Sequence, residues 1–283
     1  MKEISLIVPT IGKFESVIQL LNSVESAEGF GDIEVIIIDQ NLNSKLKDYV
    51  YLEFNNLNII YLKSSIKGLS KARNKGLLHA NGDVIVFSDD DVVYKTDYFL
   101  NLLIIENKNP STDVFIAKLL NIENDEFYTS PPDPLYFSNG LINYMSCCSV
   151  TLNVRKESII NFNQELGAGE YFGACEDSDF VLQLFRNKVK FNFFEELIVR
   201  HPKFVKNQQE FSRIKNYSLG FGAFYKIQIK KGGVYQMYFI KSFLILLIRS
   251  FGGMILDPKK SKYYYYSFIY KLKGYLKYSD DNL

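Results

Sequence analysis

The feature that most constrains this chain is an alternation of two hydrophobic periodicities over its first 90 residues. Apolar, largely β-branched runs that are typical of buried strands occur at Ile4–Val8, Ile33–Ile38, Asn58–Leu62 and Asp83–Phe87. Apolar residues at helical spacing follow Phe14, and we expect Ser70 to cap a further helix that ends near Ala80. Because the strands are apolar throughout, the pattern predicts an α/β fold with a mostly parallel sheet flanked by helices.

Polar residues stand where three of these strands end. Thr10 follows the first strand, Asp39 ends the second, and Asp89-Asp90-Asp91 follow the fourth. Because ligands of parallel α/β sheets bind beyond the carboxyl ends of the strands, we expect these side chains to form a binding site. The sequence has neither a GxGxxG motif nor a GxxxxGK motif followed by Ser or Thr, so a nucleotide phosphate would be neutralised mainly by a metal ion.

Two interpretations of the acidic triplet are open on the residues alone. Carboxylates about 4 Å apart repel by about 1 kcal/mol in water and by about 4 kcal/mol at an effective dielectric of 20. A solvated turn tolerates this repulsion, and an isolated Asp triplet is most often such a turn. A divalent cation also relieves it, because Mg²⁺ and Mn²⁺ favour oxygen ligands and keep positions open for substrate phosphates.

Further candidate residues lie in the second half of the chain. Glu176 and Asp177 precede a helical pattern that begins at Asp179, so they either cap this helix or supply a general base. His201 is either a packed residue or a metal ligand. His79 has no acidic neighbours in the sequence, and we interpret it as structural.

Composition excludes several classes of protein. Of the 283 residues, 47% are hydrophobic and 23% charged, which excludes disordered and collagen-like chains. The three cysteines form neither a disulfide framework nor a zinc-binding pattern, and Cys175 is interpreted as a packing residue. This use of cysteine leads us to expect a reducing compartment. The N-terminus lacks the pattern of a secretory signal and is interpreted as a first strand.

The formal net charge of +1 hides a strong asymmetry. Residues 1–202 hold 18 Lys or Arg against 28 Asp or Glu, whereas residues 203–283 hold 15 against 4, together with 11 of the 20 tyrosines. The near-neutral total argues against a nucleic-acid binder. The split instead indicates two regions that meet different partners.

The basic tail contains an apolar run from Met237 to Leu256. Lys241 and Arg249 interrupt this run, so we expect it to be too short to span a membrane. Lysines that alternate with tyrosines further along suit a helix in a membrane interface and favour peripheral attachment to an anionic membrane surface. Packing of the apolar run on the rest of the protein or on a second subunit is the alternative.

Taken in order, several segments resemble family 2 glycosyltransferases, which have a Rossmann-like, A-type nucleotide-sugar-binding fold. The matching segments span about residues 3–202 and read SLIVPTIGK, VIIIDQN, GLSKARNKGL, VIVFSDDD, GEYFGACEDSDFVLQLFRNKVKF and VRHP. The chain departs from the family at Gln40-Asn41-Leu42, where Asp-Gly-Ser is common.

The resemblance implies a role for each candidate residue. Residues that would bind the nucleotide-sugar donor are Pro9, Thr10, Asp39, Arg73, Asp89 and Asp90. Asp91 of the Asp-x-Asp motif would hold Mn²⁺ or Mg²⁺, with His201 as a second ligand. Asp177 would be the catalytic base, and Glu176 would position the acceptor or the base.

We therefore predict an inverting, metal-dependent glycosyltransferase of the bacterial surface-polysaccharide type. Its donor would be a nucleotide-diphosphate sugar, first of all a UDP-sugar, and its acceptor a glycan or lipid-linked saccharide. We expect a nucleotide-sugar-binding half at residues 1–110, an acceptor-binding and catalytic half at 111–205 and a helical tail at 206–283. The protein would be cytoplasmic and peripheral on the inner face of the cell membrane. A sugar nucleotidylyltransferase and a non-enzymatic module that binds a membrane surface are the alternatives.

Overall fold

The computed structural model describes residues 3–43, 45–127, 147–202, 210–233 and 236–279. The chain divides into two compact units, Met1–Phe162 with Phe180–Phe204 and Asn163–Asp179 with Val205–Leu283. The first unit contains a β-sheet, and the second contains the long helices near the end of the chain.

One sheet of eight strands, counted over the described residues, forms the centre of the first unit. In chain order the strands are β1 (Ile4–Thr10), β2 (Ile33–Asp39), β3 (Asn58–Lys63), β4 (Val84–Phe87), β5 (Val93–Tyr94), β6 (Val114–Asn121), β7 (Leu152–Arg155) and β8 (Phe191–His201). Their spatial order is β3-β2-β1-β4-β7-β6-β8-β5. The pairs β3–β2, β2–β1, β1–β4 and β6–β8 are parallel and the others antiparallel, so the predicted mostly parallel sheet is confirmed.

Helices cover both faces of this sheet. In chain order they are α1 (Phe14–Glu25), α2 (Lys45–Glu53), α3 (Leu69–Leu77), α4 (Tyr98–Lys108) and α5 (Glu176–Arg186). Leu6 and Val8 of β1 share a hydrophobic core with buried residues of α1, α2 and α4. Ile7 points to the other face, where it meets Gly76 of α3. This two-sided cover explains why β1 and β2 are buried and apolar over almost their whole length.

The sequence located the first four strands and α1, and it missed elements with weaker patterns. Helix α2 was not predicted, because only Leu46 and Val50 of its nine residues are buried. The sequence from Met145 to Val154 predicts a longer strand than the structure has, because β7 begins only at Leu152; residues 145 and 146 lie outside the described residues. Two separate strand patterns, Phe191–Phe194 and Leu197–Val199, belong to one strand, β8, which has an irregular register.

The predicted cap of α3 was wrong. Helix α3 begins at Leu69, and Ser70 is a fully buried residue inside its first turn. The residue before the helix is Gly68, whose φ of 129° is a conformation that other residues rarely adopt. The chain therefore enters this helix through a glycine, and the serine hydroxyl is not the cap.

Glu34, at the start of β2, ties three segments of the first unit together. It is 3% exposed, and its Oε1 accepts hydrogen bonds from the Ser5 hydroxyl on β1 and from the backbone N–H groups of Asn81 and Gly82 before β4. Burial raises the pKa of Glu34, whereas the donated hydrogen bonds lower it, and the net shift is downward. Its buried charge is thus held by donors from the two neighbouring segments.

In the second unit the helices are α6 (Glu210–Lys230), α7 (Gln236–Leu256) and α8 (Ser261–Lys277). Helices α6 and α8 approach each other at two glycines. A Cβ on Gly222 would lie 2.1 Å from the Lys271 carbonyl oxygen, and a Cβ on Gly274 would lie 2.1 Å from that of Leu219. The backbones are therefore in contact at this crossing, and side chains at either position would separate the helices.

Helix α7 corrects the expectation that the apolar run is too short to span a membrane. It has 21 residues and is long and apolar enough to cross one, judged by length and composition alone. Within its unit, however, it contributes the buried Phe239 and Phe243, and Phe243 stacks on Tyr225 and Tyr275. One side of α7 thus packs on α6 and α8, and most of the rest is exposed.

We predict that Glu34→Gln lowers the free energy of unfolding by about 1–3 kcal/mol at neutral pH, because the charged acceptor is lost. The folded pKa lies below the unfolded value, so this stabilisation is present above about pH 4.5 and is lost as the pH falls through the folded pKa. Urea unfolding at about pH 7 and about pH 3 measures the difference, with the exposed Glu53→Gln as the control. An equal loss at both pH values would contradict the role of the charge.

Candidate functional site

The carboxyl ends of β1, β2 and β4 lie side by side. Thr10, the last residue of β1, is paired with Asp39, the last residue of β2. Phe87, the last residue of β4, is paired with Ile7 of β1. The acidic triplet follows Phe87 almost at once, so the structure brings it to the same edge of the sheet as Thr10 and Asp39.

The first two carboxylates of the triplet have different partners. Asp89 Oδ1 accepts a hydrogen bond from the guanidinium of Arg73 at 2.9 Å, and Asp90 Oδ2 accepts one from the Thr10 hydroxyl at 2.8 Å. Burial raises the pKa of Asp90, although the Thr10 hydrogen bond and the charge of Lys13 act in the opposite direction. Each of these two neighbouring acids is therefore bound by a donor of its own, Asp89 by one on α3 and Asp90 by one on β1.

Asp89, Asp91 and His201 form a group that could hold a metal ion. Each offers one ligand atom, and these atoms lie within 4.8 Å of one another. His201 Nε2 is 3.0 Å from Asp91 Oδ1. All three residues are partly exposed, which leaves room for further ligands. Two carboxylates and an imidazole suit Mn²⁺ and are compatible with Mg²⁺, which favours oxygen ligands.

A short pair of strands brings His201 to the triplet. β5 begins two residues after Asp91 and pairs with the end of β8 in antiparallel register, with Val93 opposite Arg200. In this register the residues just before Val93 run beside the residues just after Arg200. Histidine and aspartate, which are 110 positions apart in the sequence, therefore meet.

Lys13, in the turn after β1, is a site residue that the sequence did not single out. Its Nζ donates a hydrogen bond to Asp91 and lies 3.7 Å from Asp90 Oδ1. Burial lowers the pKa of Lys13, but the contact with Asp91 raises it, and the net shift is upward. The carboxylate that we expect to bind a metal ion is therefore already paired with a lysine. The nearest sequence signal is its place in the SLIVPTIGK segment, three residues after Thr10.

The contact between Asp91 and His201 lowers the pKa of the carboxyl group and raises the pKa of the imidazole. Burial raises the pKa of Asp91, but the hydrogen bonds with His201 and Lys13 lower it more, so the pKa lies below its usual range. Burial lowers the pKa of His201, but the hydrogen bond with Asp91 raises it, and the net shift is upward. The contact between the two groups therefore favours the charged form of each.

Arg73 lies inside α3 and is 1% exposed. Besides its contact with Asp89, its guanidinium stands 5.2 Å from the ring centroid of Phe162. Asn74, the next residue of α3, holds Phe162 in place through hydrogen bonds to both its backbone N–H and its carbonyl oxygen. The arginine is thus fixed before any ligand binds.

Asp39 is fully buried at the end of β2. Oδ1 accepts hydrogen bonds from the backbone and side chain of Asn41, and Oδ2 accepts them from Tyr61 and, at 2.8 Å, from Lys63. Burial raises the pKa of Asp39, but these donors lower it, and the net shift is downward. A nucleotide base that contacts this carboxylate would share it with Tyr61 and Lys63, which the sequence did not indicate as neighbours.

The departure from the family at Gln40-Asn41 also has structural consequences. The Gln40 side-chain carbonyl accepts a hydrogen bond from the Gly68 N–H at the start of α3. The Asn41 side chain accepts one from the Gly12 N–H in the turn after β1. These two residues therefore connect the loops at this edge of the sheet.

Pro9 is buried within β1, one residue before Thr10. His79, which we interpreted as structural, follows α3 with an exposed side chain.

The acidic pair Glu176 and Asp177 lies in the first turn of α5, which begins three residues earlier than predicted. Asp179, in the same turn, is buried and accepts a hydrogen bond from Gln228 at 2.7 Å, which indicates a structural role. Cys175 adopts a φ of 72°, which is unusual for a residue with a side chain. Burial and the acidic neighbours of Cys175 raise its thiol pKa, which argues against a nucleophilic thiolate.

Solved structures share this fold. TarS of S. aureus, residues 1–349, in complex with UDP-GlcNAc, matches with a TM-score of 0.69 and 17% identity over 97% of this chain and 81% of that one. The mannosyltransferase PcManGT from Pyrobaculum calidifontis, in complex with GDP-Man and Mn²⁺, matches with a TM-score of 0.63 and 12% identity over 99% and 88%. No curated protein matches the chain in sequence. The fold is thus that of A-type nucleotide-sugar-binding enzymes.

The family model of glycosyl transferase family 2 matches residues 5–166, which is more than half of the chain. This protein therefore belongs to glycosyl transferase family 2, and the expected family is confirmed.

We predict that Asp91→Asn weakens Mn²⁺ binding by more than about 100-fold, because loss of an outer-shell partner alone typically costs 10–100-fold. Isothermal titration with Mn²⁺ measures this affinity. Asp97→Asn is the matched control, since Asp97 pairs with Lys95 and does not belong to the metal-binding group. Unchanged affinity in Asp91→Asn would remove this residue from the set of ligands.

We predict that Lys13→Gln strengthens Mn²⁺ binding about fivefold. Its ammonium group competes with a cation for Asp91, and a partly exposed ion pair contributes about 1 kcal/mol. Lys95→Gln removes the same charge from a similar pair and is the control. Weaker Mn²⁺ binding in Lys13→Gln would contradict the competition.

Proposed function

We propose that this glycosyltransferase moves a hexose from a nucleotide-diphosphate sugar, first of all a UDP-sugar, to an acceptor hydroxyl with inversion at the anomeric carbon. The observation that carries the proposal is the cluster of Asp89, Asp91 and His201 at the carboxyl edge of the parallel strands. The similar structures of TarS and PcManGT are complexes with UDP-GlcNAc and GDP-Man, which supports this class of donor.

The residues at this edge would hold the donor. Thr10, Asp39 and Arg73 would contact the nucleotide, and Pro9 would shape the wall of the same site. Asp89 would approach the ribose, and Asp90 lies between the two residues of the Asp-x-Asp motif. The support for these roles is that Thr10 and Asp39 end β1 and β2, that Asp89 and Asp90 follow β4, and that hydrogen bonds already fix Arg73 and Asp39. Fixed donors and acceptors bind a nucleotide without first being ordered.

Asp91 and His201 would hold Mn²⁺ or Mg²⁺. The donor set fits such an ion, since the ligand atoms are close together and all three residues are partly exposed. When bound, the ion would neutralise the diphosphate and stabilise the negative charge of the leaving group. Lys13 and His201 both contact Asp91 in this structure.

Asp177 would be the catalytic base. It would accept the proton of the acceptor hydroxyl while the acceptor oxygen forms a bond to the anomeric carbon and the bond from that carbon to the diphosphate breaks. Glu176 would orient the acceptor or the base. The support is the family resemblance around GEYFGACEDSDF together with the place of both acids in the first turn of α5.

The acceptor would be a glycan or a lipid-linked saccharide of a bacterial surface polysaccharide, and the protein would be cytoplasmic and peripheral on the inner face of the membrane. The exposed apolar residues of α7 and the lysines of α8 support a membrane surface as a partner. Membership of glycosyl transferase family 2 speaks against both alternatives, the nucleotidylyltransferase and the non-enzymatic module.

We predict that Asp177→Asn lowers kcat for sugar transfer by about 10²–10⁴-fold, because the proton acceptor is lost while the donor site is intact. The assay follows release of nucleoside diphosphate from a panel of nucleotide sugars in the presence of acceptor, with Mn²⁺ or with a chelator. Nucleotide affinity, measured separately, should not change.

Asp83→Asn, which alters an exposed carboxylate before β4, is the matched control and should keep full activity. Near-normal turnover of Asp177→Asn would exclude Asp177 as the base. Release of pyrophosphate from a nucleoside triphosphate and a sugar phosphate would instead identify a nucleotidylyltransferase.

A further inference from the structure

We propose that the second unit contains a pocket that binds the phosphate head group of an anionic membrane lipid. The pocket is built from the start of α6, the turn after α7 and the start of α8. The inference rests on the proposed attachment to a membrane and assigns residues to it. Its test measures lipid binding alone, so it can fail independently of glycosyl transfer.

The pocket has a volume of about 890 Å³, within the usual range of small-molecule sites. Three lysines line it, Lys259 and Lys260 from the turn and Lys262 from the first turn of α8. No residue among the described ones that line it is acidic. Because lysine ammonium groups bind phosphate as point charges, this lining is complementary to a phosphate anion.

The surroundings of the pocket are also cationic. Residues 236–279 contain eight Lys or Arg and a single acidic residue, Asp257. Asp257 Oδ2 lies 3.9 Å from Lys260 Nζ, and the Lys260 side chain is 69% exposed. A contact this long and exposed neutralises little of the lysine charge. The positive charge around the pocket is therefore available to a ligand.

Aromatic rings form the remaining walls. Phe211 of α6 meets Tyr266 of α8 edge to face, with ring centroids 4.5 Å apart. The ring of Tyr264 lies against Gly253 of α7, where a Cβ would come within 2.7 Å of it. Tyrosine rings are amphipathic and favour the boundary between hydrocarbon and head groups. These walls suit a phosphate that is attached to an apolar body.

An exposed apolar stripe on α7 favours a lipid over a free phosphate as the ligand. Leu244, Ile248, Phe251 and Ile255 are all at least half exposed and recur at helical spacing along one side of the helix. The helix ends at Leu256, which is 85% exposed and precedes the turn that carries Lys259 and Lys260. An apolar face that leads to a cationic pocket matches the two parts of an anionic lipid.

The decisive experiment is vesicle binding by the full chain. The variant K259Q/K260Q/K262Q should bind vesicles of phosphatidylcholine with 30% phosphatidylglycerol about 100-fold more weakly, at about fivefold for each lysine. The control K230Q/K273Q/K277Q removes the same charge from exposed lysines of the same unit outside the pocket lining, and it should lose far less affinity. Equal losses would overturn the pocket, because binding would then follow net charge alone.

A second arm separates lipid from free phosphate. Ile248→Ser with Phe251→Ser should weaken binding to the same vesicles, and inorganic phosphate at millimolar concentration should not displace the wild-type protein. Full displacement by inorganic phosphate, or vesicle binding unaffected by the serine variant, would overturn the lipid as the ligand. Release of nucleoside diphosphate by each variant, measured without vesicles, should equal that of the wild type, which keeps this result separate from the proposed transfer.

Discussion

The parallel pairing of β1 with both β2 and β4 is the constraint on which the first unit and its candidate site depend. β1 lies between these two strands, so its register determines where both of them end. Thr10, Asp39 and the acidic triplet then reach one edge of the sheet without any contact among their side chains being required. Glu34 secures this arrangement from the opposite end, where it joins β1, β2 and the turn before β4 through buried hydrogen bonds.

At this edge of the sheet, three successive carboxylates repel one another. Each of them has a partner of its own that offsets this repulsion. Arg73 contacts Asp89, Thr10 contacts Asp90, and Lys13 and His201 contact Asp91. The partners of Asp91 are a partly exposed lysine, whose place a metal ion can take, and a histidine that can itself bind the ion. The partner of Asp89 is a buried arginine that also lies against Phe162, so it has far less freedom to leave. The arrangement thus has one fixed side and one exchangeable side.

The parts of the fold and site that the sequence could predict were those with local signals. Each apolar strand and the acidic residues at its end are consecutive in the sequence, so the positions of β1, β2 and β4 could be predicted. The position of Lys13 depends on the turn after β1. The approach of His201 depends on the pairing of β5 with β8, and the two residues of β5 have no distinct sequence pattern. The Ser70 cap failed for a related reason, because burial of Ser70 and the backbone of Gly68 are properties of the packed chain.

The charge asymmetry of the sequence acquires a more specific meaning in the second unit. A helix such as α7 satisfies the length and composition of a membrane span, yet its Phe243 stacks on rings of α6 and α8. A span that kept these contacts would take Lys271, which is buried beside Ser250, toward the hydrocarbon as well. Burial already lowers the pKa of Lys271 to about 8. If α7 instead lies in the membrane interface, its packed side faces the protein and the lysines of the α7–α8 turn face the lipid head groups. In this orientation no charged residue has to enter the bilayer core.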